Sequence, residues 1–146
     1  MVINKDFREF IQCLNHHNAR YLIVGGYAVA LHGHPRYTKD LDVWIGVSVS
    51  NAEKVVAAIR DFGFSSLNLN VEDFTQPNTI IQLGYPPTRI DLITSASGIE
   101  FDQTWPERVV IDIEGLPVSF IDLDNLRQNK KASGRYQDLA DLENLE

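Results

Sequence analysis

The start of the chain alternates between helical and strand-like hydrophobic patterns. Apolar side chains recur at the spacing of one helix face, which predicts a helix over about residues 5–17. The apolar run at residues 21–24, rich in β-branched and aromatic side chains, predicts a short strand. This run ends at Gly25 and Gly26, and residues 27–31 then predict a short helix. The order is therefore strand, glycine turn, helix.

The next segment combines an alternating pattern with a helical one. Residues 40–47 alternate as a strand, with Asp40 and Asp42 on one face and apolar side chains on the other. A capping box over residues 50–53 predicts the start of a helix that runs to a stop at Gly63. Residues 65–76 mix strand-like and helical signals, and we expect an irregular segment there.

Two pairs of strand-like runs in the second half predict β-hairpins. The predicted strands are residues 79–83 and 89–94 in the first hairpin, and residues 108–113 and 116–121 in the second. A short helical piece carrying Phe101 and Trp105 lies between them, and about residues 122–145 predict two helices. One strand–turn–helix unit followed by hairpins predicts an α+β fold, a mixed sheet with helices mainly on one face, rather than a doubly wound sheet.

Length and charge restrict this picture further. The 146 residues, 44% apolar and 23% charged, predict one compact domain over residues 1–146. The formal net charge of −7 disfavours a protein that binds nucleic acid by broad phosphate neutralisation, although a local basic site is compatible with it.

Cysteine usage and hydropathy bear on the compartment. Cys13 is the one cysteine, so an intramolecular disulfide and a cysteine-cage zinc site are excluded, which fits a reducing compartment. The start of the sequence lacks the apolar core of a signal peptide, and the longest apolar run is shorter than a membrane span. We therefore expect a cytoplasmic protein without a membrane partner.

Pairs of carboxylates two residues apart occur five times, so the pattern alone does not identify a functional site. They are residues 40 and 42, 100 and 102, 112 and 114, 122 and 124, and 141 and 143. A hairpin end explains the third pair, a helix N-terminus the fourth, and the surface of an amphipathic helix the fifth. The pair Asp40 and Asp42 differs because a strand and the turn Gly25-Gly26 precede it by thirteen residues.

This arrangement suits phosphate chemistry. Alternate residues on a strand lie roughly 6.6 Å apart, and two charges at that distance repel by about 2.5 kcal/mol at an effective dielectric constant of 20, so a shielded pair needs a cation. Carboxylate oxygens suit Mg²⁺. A glycine pair between a strand and a helix lets a phosphate approach bare backbone amides. Together these features indicate phosphoryl or nucleotidyl transfer.

Gly25-Gly26 with Asp40-Leu41-Asp42 resembles the signature of the polymerase-beta-like nucleotidyltransferase superfamily. Residues 37–44, 84–92 and 129–135 resemble its small bacterial branch, which is related to the nucleotidyltransferase toxins of toxin-antitoxin and abortive-infection systems. The resemblance covers about residues 21–142.

The resemblance implies an NTP substrate, Mg²⁺ or Mn²⁺ as cofactor, and Asp91 as a third ligand on a neighbouring strand. One ion, held by all three acids, activates an acceptor hydroxyl, and a second, held by Asp40 and Asp42, carries the triphosphate. The hydroxyl attacks the α-phosphorus, with Asp91 as a candidate base, and pyrophosphate leaves. The sequence itself is consistent with this role for Asp91, because a carboxylate inside an apolar strand needs a partner.

Basic residues near the predicted tail helices are candidate phosphate contacts. In similar sequences the segment holding Lys130 and Arg135 lies close to the nucleotide phosphates; Lys131 is a weaker candidate. The alternative is that this segment is a solvated helix face. Before the acids, Arg36 and Thr38 could reach phosphate, and Arg89 could pair with Asp91.

Other sites have weaker support. His16-His17 and His32-Gly33-His34 lack a carboxylate or cysteine at ligand spacing. The sequence has no G-x-G-x-x-G and no Walker lysine, and its serines lack a nucleophile elbow. Cys13 falls on the apolar side of the first helix, as a buried thiol would.

Two functions stay open. The first is a magnesium-dependent nucleotidyltransferase whose acceptor is RNA, protein or a small molecule. The second is a non-catalytic nucleotide- or protein-binding module, such as a toxin-antitoxin partner. Larger relatives hold the acceptor on an additional helical domain, so the resemblance places an acceptor here in a surface cleft, at a homodimer interface or on a partner chain.

Overall fold

The computed structural model describes residues 1–33, 38–64 and 67–145. In this part of the chain, six helices and six strands follow one another in a mixed order. They are α1 (Lys5–His16), β1 (Tyr21–Val24), α2 (Gly25–Leu31), β2 (Leu41–Ile45), α3 (Val49–Phe62), β3 (Ile80–Leu83), β4 (Ile90–Ile93), α4 (Phe101–Thr104), β5 (Val109–Ile113), β6 (Leu116–Phe120), α5 (Leu123–Ser133) and α6 (Tyr136–Asn144).

The six strands form one sheet in the order β3-β4-β2-β1-β6-β5. β2 pairs antiparallel with β1 and parallel with β4, and β1 pairs parallel with β6. Each outer pair is one of the predicted hairpins, β3 with β4 and β5 with β6. The predicted α+β class with a mixed sheet is confirmed.

The two longest helices pack on one face of the sheet. Tyr21 of β1 donates a hydrogen bond of 2.9 Å from its hydroxyl to Asn15 Oδ1 of α1. Phe10 of α1 meets Phe62 of α3 edge to face, with ring centroids 5.3 Å apart. On the opposite face, Trp44 packs against Phe101 of α4. Both faces of the central strands are therefore covered, and the carboxylate-bearing face is the one that carries Trp44.

Helix ends follow local capping chemistry. Asn4 caps α1 as predicted, accepting a hydrogen bond of 2.9 Å from the amide of Phe7. The predicted capping box at residues 50–53 is wrong, because Ser48 is the N-cap of α3 and accepts from the amide of Asn51. A serine two residues earlier has the extended backbone that an N-cap needs. The helix ends as predicted at Gly63, with φ of 110°.

The remaining predictions of local structure hold with small changes. Residues 65 and 66 of the predicted irregular segment lie outside the described residues, and residues 67–76 contain a short 3₁₀ turn at Val71–Phe74. The tail forms two helices separated at Gly134. His34, Pro35, Arg36 and Tyr37 lie outside the described residues, so the predictions made for them are not addressed. None of the helices in the described ranges has the length and hydropathy needed to cross a bilayer.

Candidate active site

The pairing of β2 with β4 brings two of the predicted carboxylates side by side. Asp42 and Asp91 are direct partners in this parallel ladder, so their side chains lie on the same face of the sheet. Asp40 directly precedes β2 and lies two residues before Asp42, on the same face. Asp91 is 9% exposed and Asp42 is partly buried. The sheet therefore gathers the three acids that the sequence pointed to.

Gly25 lies directly against one of these acids. Its φ is +65°, a left-handed conformation that suits glycine, and a Cβ at this position would collide with the carboxylate Oδ2 of Asp42. Gly26 follows as a buried residue in the first turn of α2. The spacing between the glycine turn and Asp42 thus reflects a close approach of backbone to carboxylate, while phosphate binding by the two glycines stays a prediction.

Arg89 connects two of the acids. Its Nη2 lies 2.6 Å from Oδ2 of Asp40 and 3.1 Å from Oδ2 of Asp91. Its Nε lies 3.1 Å from Oδ1 of Asp91 without the geometry of a hydrogen bond. The expected pairing of Arg89 with Asp91 is confirmed, and the contact with Asp40 is additional.

Burial and like charges act together on Asp42. Desolvation is the main cause that raises the pKa of its carboxyl to about 6, and the neighbouring carboxylates of Asp91 and Asp40 raise it further. Lys130 and Arg89 lower it in part. A nearby cation would stabilise the ionised form of this carboxylate.

The donor set suits a hard divalent cation. All three side chains offer carboxylate oxygens, and Oδ1 of Asp91 is buried without a hydrogen-bond partner. Among the described residues, no group of three His, Cys, Asp or Glu side chains is already arranged as a metal shell. The three acids fit Mg²⁺ by the chemistry of their donor atoms.

Lys130 is buried in an ion-pair cluster between α5 and α6. Its Nζ lies 3.0 Å from Oδ1 of Asp138 and 3.2 Å from Oδ2 of Asp141. Asp138 also accepts hydrogen bonds from Ser133 Oγ at 2.6 Å and from Arg135 Nε at 2.7 Å. Burial raises the pKa of Asp138, but the hydrogen bonds from Arg135, Ser133 and Lys130 outweigh it and hold that pKa below its usual range. The structure thus gives Lys130 two carboxylate partners, and a contact with phosphate stays a prediction.

Asp138 and Asp141 are the residues that the sequence interpretation missed. Asp141 was assigned to the surface of an amphipathic helix, but Asp138 and Asp141 are each about 1% exposed as whole residues. The available signal was a lysine before a glycine break, followed by acids eight and eleven residues later. In this structure the glycine break lets these two acids of α6 face Lys130 of α5.

The other predicted basic contacts differ in exposure. Arg135 keeps 78% of its side chain exposed, and its guanidinium acts electrostatically on Asp42 as well as Asp138. Lys131 is exposed and Thr38 is half-buried, while Arg36 lies outside the described residues. Arg135 and Lys131 are therefore the accessible cations of this group, and phosphate binding by any of these residues stays a prediction.

A separate cleft of about 1170 Å³ lies at the far ends of β2 and β4. Trp44 and Phe101 contribute to its wall, and side chains of both charges line it, among them Arg20, Lys54 and Glu100. None of the three site carboxylates lines this cleft. Trp44 lies between it and Asp42 along β2, so the two features are distinct parts of one face.

His32 and Cys13 have ordinary surroundings. His32 ends α2 and its Nε2 lies 2.8 Å from the carbonyl oxygen of Ile121. Cys13 is partly buried against the core, and burial raises the pKa of its thiol.

Comparison with known proteins assigns the chain to a family. The profile of the family described as "Nucleotidyltransferase of unknown function (DUF6036)" matches residues 4–146. The chain belongs to this family. No curated protein matches the sequence.

Solved structures show that the family fold is that of nucleotidyltransferases. The candidate nucleotidyltransferase TM1012 of Thermotoga maritima superposes with a TM-score of 0.61 at 14% identity, covering 94% of this chain and 88% of that chain. The lincosamide antibiotic adenylyltransferase LnuA, solved with lincomycin bound, gives 0.57 at 14% identity, covering 99% and 96%. An antigenic nucleotidyltransferase-like protein of Paracoccidioides brasiliensis gives 0.54 at 20% identity, covering 98% and 77%. At these identities the likeness concerns the fold alone.

Proposed function

We propose that the protein is a magnesium-dependent nucleotidyltransferase that transfers an NMP from an NTP to an acceptor hydroxyl. The observation that carries the proposal is the pairing of Asp42 with Asp91 in adjacent parallel strands, with the backbone of Gly25 against the Asp42 carboxylate. Membership of the nucleotidyltransferase family supports it. Neither feature identifies the acceptor.

In this proposal the carboxylates of Asp40, Asp42 and Asp91 would hold the metal. Mg²⁺, or Mn²⁺ in its place, would supply charge neutralisation for the triphosphate and activation of the acceptor hydroxyl. Asp91 accepts the proton of the acceptor hydroxyl. The hydroxyl oxygen forms a bond to the α-phosphorus, and the bond between that phosphorus and pyrophosphate breaks. Gly25 and Gly26 are the proposed backbone contacts of the triphosphate, and the exposed Arg135 offers a charged donor to the nucleotide.

Label transfer from each α-³²P-labelled NTP, with magnesium, into a cell extract tests the proposal, because nucleotidyl transfer leaves the α-phosphorus on the acceptor. We expect labelled RNA, protein or small molecule with the unchanged protein and none with Asp42→Asn. Asp124→Asn is the matched control, since that side chain is 93% exposed on α5. Fractionation of the labelled material names the acceptor class.

The competing function is a non-catalytic binding module, such as a toxin-antitoxin partner. The contact of Arg89 with Asp40 and Asp91 supports this alternative, because it gives two of the acids a structural partner without metal. Absence of transfer with every NTP, in an extract that supports a known nucleotidyltransferase, would favour this alternative. Co-purification with a partner protein, or a homodimer in solution, would then be the next observation. Under either function we place the protein in the cytoplasm.

A further inference from the structure

Arg89 occupies the space between two candidate metal ligands. One nitrogen, Nη2, is within hydrogen-bond distance of Oδ2 of both Asp40 and Asp91. The two acids come from different segments, one directly before β2 and the other within β4. A single guanidinium group therefore bridges carboxylates that the sheet brings together, as a bridging cation would.

The position of Arg89 in the chain explains how it reaches both acids. It directly precedes β4, and its backbone carbonyl accepts a hydrogen bond of 3.1 Å from the amide of Leu41, the first residue of β2. The side chain is 30% exposed, so it borders solvent rather than being locked inside the core. A side chain at this place can leave the acids without any change in the sheet.

A divalent cation and this guanidinium compete for the same oxygens. Mg²⁺ binds carboxylate oxygens at about 2.1 Å and requires near-octahedral geometry, which leaves little room for a second cation among those oxygens. Two positive groups at such a short distance also repel each other strongly in a partly buried site. Metal binding at Oδ2 of Asp40 and Oδ2 of Asp91 therefore requires Arg89 to withdraw from those two atoms.

We propose that Arg89 is an internal cation that holds the acids together before metal binds and is exchanged for the divalent ion. The inference rests on the proposed metal site. After exchange, the guanidinium remains tethered at the start of β4, where its planar fork of donors suits a phosphate group of the nucleotide. Arg89 thus acts as a positioning residue that sets the metal affinity.

Direct binding of Mn²⁺, followed by the electron paramagnetic resonance signal of the free ion, tests this without any turnover. We expect Arg89→Gln to bind Mn²⁺ roughly tenfold more tightly than the unchanged protein, a difference of the size that one lost competing contact produces. Arg89→Lys should lie between them, because an ammonium group cannot form the same fork. Arg20→Gln is the control, since that guanidinium lies over the Trp105 ring instead.

Thermal unfolding without metal provides a second readout and a check of folding. Arg89→Gln should unfold at a lower temperature than the unchanged protein, because its three acids lack the arginine. Added Mn²⁺ should raise the unfolding temperature of Arg89→Gln by more than it raises that of the unchanged protein. The inference would be overturned if Arg89→Gln bound Mn²⁺ as tightly as the unchanged protein or more weakly. If Asp42→Asn abolished Mn²⁺ binding in the same assay, the proposed metal site would still be supported. Absence of Mn²⁺ binding in every variant would overturn both the inference and the proposed metal site.

Discussion

Asp42 is the residue on which the site's physical chemistry depends most. It lies against the backbone of Gly25 on one side and beside Asp91 on the other. Its carboxyl is partly desolvated and has two acidic neighbours, and these causes raise its pKa to about 6. A group whose pKa rises on folding binds its proton more tightly in the native state than in the unfolded chain. Its ionisation therefore opposes folding.

The first prediction concerns the pH dependence of metal-free stability. The pKa of Asp42 is near 4 when unfolded and about 6 when folded, so stability from this group is fully present below about pH 4 and falls as the pH rises to about 6. Asp42→Asn removes this dependence. We expect the variant to be more stable than the unchanged protein at pH 7.5, by up to about 3 kcal/mol, and nearly equal to it at pH 4. Urea unfolding at a series of pH values in EDTA measures this, and equal stabilities at pH 7.5 would contradict it.

Gly25 gives a second prediction at the same scale. Gly25→Ala introduces both backbone strain, because φ is +65°, and a collision with the Asp42 carboxylate. Gly63→Ala is a matched control, since its φ is +110° and a Cβ there meets nothing within 4 Å. We expect the control to lose about 1 kcal/mol of unfolding free energy. Gly25→Ala should lose more and also abolish label transfer, and equal losses with retained transfer would count against the close approach.

At the scale of the elements, local patterns predicted most of the strands and helices. The hairpins were predictable because alternating apolar runs were separated by short turn-forming segments. The start of α3 was not, because Ser48 and Ser50 are equally good N-caps by type and the choice depends on backbone conformation. Asp141 was misplaced for a related reason. Which side of α6 is buried depends on how it packs against α5, and the buried face carries acids that pair with Lys130.

The cluster between α5 and α6 carries the third prediction. Lys130→Ala leaves Asp138 and Asp141 buried without their shared cation, which costs about 3–5 kcal/mol for a buried pair. Lys131→Ala, the change at the exposed neighbouring lysine, should alter stability little. Chemical unfolding of both variants measures the difference. A Lys130→Ala variant of unchanged stability but weaker nucleotide binding would instead assign Lys130 to the phosphates.

At the scale of the whole molecule, the sheet order assembles the candidate site from distant parts of the chain. The acids near β2 could be recognised from sequence because they lie two residues apart behind a glycine turn. Asp91 was linked to them through the family resemblance, since no local pattern specifies that β4 pairs parallel with β2. The bridge from Arg89 to Asp40 was beyond sequence reasoning. It depends on the register of that pairing and on side-chain reach, neither of which periodicity contains.

The last prediction concerns the linkage between metal binding and global stability. The proposed ligands come from two strand regions, so a bound ion stabilises the folded chain relative to the unfolded one, which does not hold them together. At a Mg²⁺ concentration 100 times the dissociation constant, we expect about 2.7 kcal/mol of stabilisation and a rise in Tm of roughly 5–10 °C at pH 7.5. The rise should shrink at pH 5, because below about 6 the Asp42 carboxyl is protonated and a proton competes with the ion. Differential scanning calorimetry at matched ionic strength measures both values. Asp91→Asn should abolish most of the rise, and a rise that persists in this variant would place the bound ion elsewhere on the molecule.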